Sequence, residues 1–194
     1  MAPRIGLGRR ARLTRITFAI VAVAAACASI LVAPGARGWL GAALALAMCA
    51  IALYDARHFV IPDGLNAAAL ALAMAHAAAL DPSTAGQEMA MSVARAAAAG
   101  GAFLALRLGY RRWRGQDGIG LGDVKLAAVA GAWLDWFAIL VAIEIAVVAA
   151  LGAYLMRHYV GRRPMRATHA LPFGLYLAPA IWVAWFLQAT VLPP

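Results

Sequence analysis

The sequence predicts an all-α membrane fold, a polytopic bundle of about seven transmembrane helices (six to seven). Three observations predict it. Of 194 residues, 65% are hydrophobic and only 13% charged, with a mean hydropathy of +0.80. That leaves too little polar surface for a soluble domain of this length. The apolar residues gather into runs close to the roughly 20 residues that a spanning helix needs. The basic residues behind the formal net charge of +9 collect between alternate runs.

The candidate spans are 14–33, 38–55, 62–80, 88–108, 122–134, 136–157 and 171–192. The first follows a basic stretch and is long for the apolar core of a cleaved signal, so it reads as a retained anchor. Residues 1–13 are then a basic cytoplasmic N-terminus and 14–194 a single transmembrane domain. The second span ends at Asp55. The third opens with Pro62, whose missing N–H costs nothing in a first helical turn, and with Asp63, which suits the positive end of a helix. The fourth and sixth carry Arg95 and Glu144 at matching depth, about 11 Å from the outer ends of their spans. They are expected to form an ion pair, because an unpaired charge there is costly. The fifth span is short and begins inside the membrane or tilts into a cleft. The seventh opens at Pro172-Phe173-Gly174.

Charge position supplies orientation. Arg4, Arg9, Arg10, Arg12 and Arg15 precede the first span, and Arg57 follows the second. Arg107, Arg111, Arg112 and Arg114 lie between the fourth and fifth, and Arg157, Arg162, Arg163 and Arg166 between the sixth and seventh. These all fall on one side of a seven-helix trace. The other side has Arg37 and the acidic stretch from Asp81 to Glu88. The positive-inside rule then gives a cytoplasmic N-terminus and an external C-terminus. Arginines bordering anionic headgroups account for the basic balance without a nucleic-acid partner. Cys27 and Cys49 read as small core residues and His58, His76, His158 and His169 as interfacial ones. No metal or other cofactor is implied by their spacing.

Two acids stand out. Asp55 ends the second span. Asp123 opens the fifth within Gly118-Ile119-Gly120-Leu121-Gly122-Asp123-Val124-Lys125, where the glycines permit close approach of another chain. The topology puts both carboxyls at one membrane face. Two neighbouring carboxyls tend to share one proton, so the ionised member can activate water while the protonated one polarises a carbonyl. Either acid alone also reads as a helix-end residue in contact with water.

At these residues the chain resembles type IV prepilin peptidases. The Asp55 segment with Ile61-Pro62-Asp63 and Leu65-Asn66 is similar to that family's first motif. Gly120-Leu121-Gly122-Asp123 with Lys125 is similar to its GxGD motif and following lysine, and Leu171-Pro172-Phe173-Gly174 to its proline-phenylalanine-glycine motif. The resemblance implies an aspartic endopeptidase of the bacterial inner membrane. Its implied substrate is a prepilin or pseudopilin with a basic leader and an apolar helix, cut at the cytoplasmic face, and membrane lipid is the other implied partner. Asp55 and Asp123 match the catalytic positions, and Asp63 does not. The long form of the family has a zinc-binding insertion with paired cysteines, associated with N-methylation. Here the loops are short and lack such a pair, so the short, peptidase-only form is the better match.

Lys125 is expected to favour the ionised pair, to hold a substrate carbonyl, or to snorkel to the interface. Pro172, Phe173 and Gly174 are expected to shape a wall near the acids. Trp133, Trp136, Trp182 and Trp185 read as interfacial anchors or packing residues. The competing functions are an intramembrane protease of the presenilin or signal-peptide-peptidase type, suggested by Tyr54-Asp55, and a small transporter or scaffold.

Overall fold

The computed structural model describes residues 5–80, 83–161 and 172–191. Among them the chain forms seven helices and no strand: α1 (Ile5–Val32), α2 (Ala36–His58), α3 (Asp63–Leu80), α4 (Ala85–Arg114), α5 (Leu121–Trp133), α6 (Trp136–Gly161) and α7 (Gly174–Val191). Arg4, Asp81, Arg162, Arg163, Arg166, His169 and Leu171 lie outside the described residues. Five of the helices, α1, α2, α4, α6 and α7, are long and apolar enough to cross a membrane. The expected all-α, seven-helix polytopic bundle is therefore what the chain adopts.

Several ends differ from the predicted spans for local reasons. Pro62 stands just before α3 rather than inside it, and its carbonyl accepts the N–H groups of Leu65 (3.1 Å) and Asn66 (3.3 Å). The fourth helix runs six residues past its apolar stretch, to Arg114. Arg111, Arg112 and Arg114 fill its last turn, where cations suit the negative helix end. At the other end of the bundle Asp135 starts α6 by accepting the Ala138 N–H at 2.7 Å.

The short α5 is the centre of the fold. It packs on α3, α4 and α7, and Val124, Leu126, Ala127, Val129 and Ala130 through Trp133 are buried. Its closest partner is α4, and small residues let the two backbones nearly touch. A Cβ on Gly131 would meet the Arg95 carbonyl, and one on Gly100 would lie 3.0 Å from the Ala128 Cβ. Such approach is how helices gain packing energy in lipid. Ser92 adds a hydrogen bond to the Ala132 carbonyl at 2.6 Å. Trp133 donates to the Ala69 carbonyl at 2.9 Å, fixing α5 to α3.

The predicted Arg95–Glu144 pair does not form. Arg95 donates weakly to the Gly131 carbonyl (3.4 Å) and faces a polar cavity with Arg37 and Glu88, while Glu144 is exposed on α6. Matching depth was not sufficient, because α4 and α6 flank α5 without packing on one another. The cysteines are not core residues either: Cys27 is exposed and Cys49 half-buried. His76, expected at an interface, is buried between Trp133 and Trp185. Of the tryptophans, Trp133 and Trp185 are packing residues and Trp136 is exposed.

Candidate active site

The site grows from two chain reversals and the start of α7, at one end of the bundle. The first follows α2. Phe59 takes a left-handed conformation (φ 53°, ψ 32°) and its N–H bonds to the Asp55 carbonyl at 2.9 Å, ending the helix one turn after Asp55. The chain then runs extended to α3, and this turns Ile61 into the core.

The second reversal joins α4 to α5. Arg107 donates to the Ile119 carbonyl and to Asp117, both at 2.8 Å, and Gly118 lies flat on the Tyr110 ring. The connection thereby folds back along α4 by the seven residues from Arg107 to Arg114, about 10 Å of helical rise. Asp123, in the first turn of α5, is set down inside the bundle instead of at its rim. Its carboxylate accepts the Gly120 N–H, an acid in the first turn reaching back to the residue that precedes the helix. A Cβ on Gly120 would sit 3.0 Å from Asp123 Oδ2, so glycine there keeps the carboxylate in place.

The third part is the start of α7. The Leu175 N–H, in the first turn, donates to Asp55 Oδ2 at 2.9 Å. A Cβ on Gly174 would come within 2.9 Å of that oxygen and 2.7 Å of Ile61 Cδ1. Ile61 also lies against Gly122, whose Cβ would be 3.0 Å from the Ile61 Cβ. Ile61 is thus a wedge gripped by the starts of α5 and α7. The glycines of both sequence motifs leave room for it and for the Asp55 carboxyl.

These three parts bring together the two acids singled out in the sequence. Asp55, only 4% exposed, and Asp123 line one cleft of about 710 Å³, close enough to repel one another when both are ionised. Phe59, Arg107, Pro172 and Phe173 form part of its wall. Lys125 does not end on either acid. Its ammonium meets Asp63 Oδ1 at 2.6 Å, tying the start of α5 to the start of α3 on the cleft rim. Arg95 and Glu144 are not part of this cleft. Sequence reasoning missed Arg107, Tyr110 and Ile61. Arg107 was counted only as a loop charge, because the apolar run ends at residue 108 and the helix's continuation to Arg114 is not legible in it.

Comparison with known proteins fits this geometry. The family model described as "Type IV leader peptidase family" matches residues 42–155, which include both acids. "Leader peptidase HopD" of Escherichia coli is 32% identical over 135 residues, 68% of this chain and 81% of that protein. A "Prepilin leader peptidase/N-methyltransferase" of Burkholderia pseudomallei is 45% identical over 69 residues, 36% of this chain and 22% of its own length. That of Aeromonas salmonicida is 35% identical over 79 residues, 39% and 25% respectively. The chain thus spans about a quarter of these longer relatives. No solved structure matches it. The seven-helix membrane bundle, the family match over more than half of the chain and the extended likeness to a leader peptidase together establish that the chain belongs to the type IV leader peptidase family.

Proposed function

We infer that this protein cleaves the basic leader from prepilins or pseudopilins at the cytoplasmic membrane face, with Asp55 and Asp123 acting together on one water molecule. The observation that carries the reading is the shared cleft: two carboxyls from distant parts of the chain, each anchored by a backbone N–H at a helix start, line one cavity with room for water and a peptide. With one proton between them, the ionised carboxylate removes a proton from water as its oxygen attacks the scissile carbonyl. The protonated partner gives its proton to the carbonyl oxygen. As the C–N bond of the tetrahedral intermediate breaks, the acid that took the water proton gives it to the leaving amine and its partner takes a proton from a hydroxyl of the diol, so the pair regains its starting state.

Orientation follows from charge. Arg57, Arg107, Arg111, Arg112 and Arg114 lie at the end of the bundle that holds the acids, and the positive-inside rule supports a cytoplasmic cleft with the N-terminus inside and the C-terminus outside. Peptidase activity alone is proposed here. The test is N-terminal sequencing of a prepilin co-expressed with the wild-type chain, with Asp55→Asn and with Asp123→Asn. The expected result is a leaderless product with wild type and uncut prepilin with each variant, at equal membrane levels. Processing retained by either variant would end the two-acid mechanism.

A further inference from the structure

We propose that the apolar channel between α4 and α6 is the seat of the substrate's own transmembrane helix, and so the lateral entrance to the cleft. The proposal rests on the peptidase reading above and adds where the substrate lies. Its starting point is the gap in the bundle: α4 packs on α3 and α5, α6 packs on α7, and the two do not close over α5. Between them runs a channel of about 310 Å³, lined by Ala99 and Ala102 on α4, Ala127 and Ala130 on α5, and Leu140 and Ile143 on α6. Small side chains on two of its three sides are what a helix needs to approach another backbone closely in lipid.

Adjacency identifies the occupant. Phe103 and Ile143 line both this channel and the cleft that holds Asp55 and Asp123, so the two spaces lie side by side with these two side chains between them. A substrate whose scissile bond is followed by an apolar helix has to leave its first residues at the acids while the helix stays at membrane depth. The channel is apolar surface adjoining the cleft of the acids. A second apolar groove, between α6 and α7 around Phe137 and Val191, shares no lining residue with the cleft and does not meet that requirement.

The test places p-benzoyl-phenylalanine at Ala102, at Leu140 and, as a control, at Leu104, in the full chain carrying Asp123→Asn and co-expressed with a prepilin. Leu104 is exposed on α4 and lies about 200° round that helix from Ala102. Irradiation is expected to join the prepilin's apolar helix to Ala102 and Leu140 at least about tenfold more than to Leu104, a difference of ~1.4 kcal/mol in occupancy. In the chain with both acids intact, Ala102→Trp is expected to lower processing about tenfold through KM. Leu104→Trp should stay near wild type. Adducts with lipid alone, with a second copy of this chain, or equally at Leu104 would overturn the proposal. Wild type that cuts prepilin while the channel sites fail to capture it would refute the channel and leave the peptidase reading standing. Wild type that cuts nothing would refute the peptidase reading itself.

Discussion

Gly174→Ala tests how α7 holds Asp55. The added methyl would lie 2.7 Å from Ile61 Cδ1, 2.9 Å from Asp55 Oδ2 and 3.2 Å from Asp55 Cγ. Carbon contacts settle near 3.5–4.0 Å, so the start of α7 has to withdraw by roughly half an ångström or more. Ile61 cannot give way easily, because its other side rests on Gly122. The Leu175 N–H to Asp55 Oδ2 bond, now 2.9 Å, would stretch to about 3.4 Å, at the edge of hydrogen-bonding range. A hydrogen bond to a charged group contributes about 1.5–3 kcal/mol. If most of that positions Asp55 for reaction, kcat/KM falls roughly 10- to 100-fold. The assay is the initial rate of leader removal from purified prepilin in detergent, with Gly152→Ala as a control, since nothing lies within 4 Å of a Cβ at Gly152. Cleavage by Gly174→Ala within about twofold of wild type, well under 1 kcal/mol, would refute the argument that this close approach orients Asp55.

Three further outcomes follow from the packing and the charges. Lys125 and Asp63 form an exposed pair, with side chains 40% and 77% accessible, and such pairs contribute at most about 1 kcal/mol. Lys125→Ala should therefore keep cleavage within about fivefold of wild type, and the swap of Lys125→Asp with Asp63→Lys should recover the loss, as progress curves across pH would show. Gly131→Val should cost more than about 3 kcal/mol, because the new side chain meets the Arg95 backbone and only separation of α4 from α5 relieves it; a thermal melt in detergent reads this out. A double-mutant cycle on Arg95→Ala and Glu144→Ala should give a coupling below about 0.5 kcal/mol in denaturant titration, since the two side chains do not meet.

What the sequence disclosed depended on what lipid leaves in it. Spans are legible because length and apolarity are what the bilayer demands, and all seven helices lie where the runs are. The acids were legible because so few charges border these runs. The inward face of each helix was not, because a helix apolar on every side carries no stripe that tells core from lipid. That is why Cys27 was read as core and is exposed, why His76 was read as interfacial and is buried, and why Arg95 and Glu144 were paired on depth alone. Contacts made by backbone groups were equally hidden. The Leu175 N–H on Asp55 joins residues far apart in the chain, and the fold-back held by Arg107 is made through the carbonyl of Ile119 as well as the Asp117 carboxylate.

The fold-back before α5 has one more consequence. At 13 residues α5 measures ~20 Å, against a hydrocarbon layer of about 30 Å. With its Trp133 end at the opposite interface, its reactive end would sit about 10 Å beneath the near headgroups. If the pair cuts as proposed, the bond it reaches is chosen by altitude: the peptide link that a substrate's hydrophobic anchor happens to hold at that plane. Lengthening or shortening the anchor would then move the cut, with the protein serving as a gauge as much as a reader of side chains.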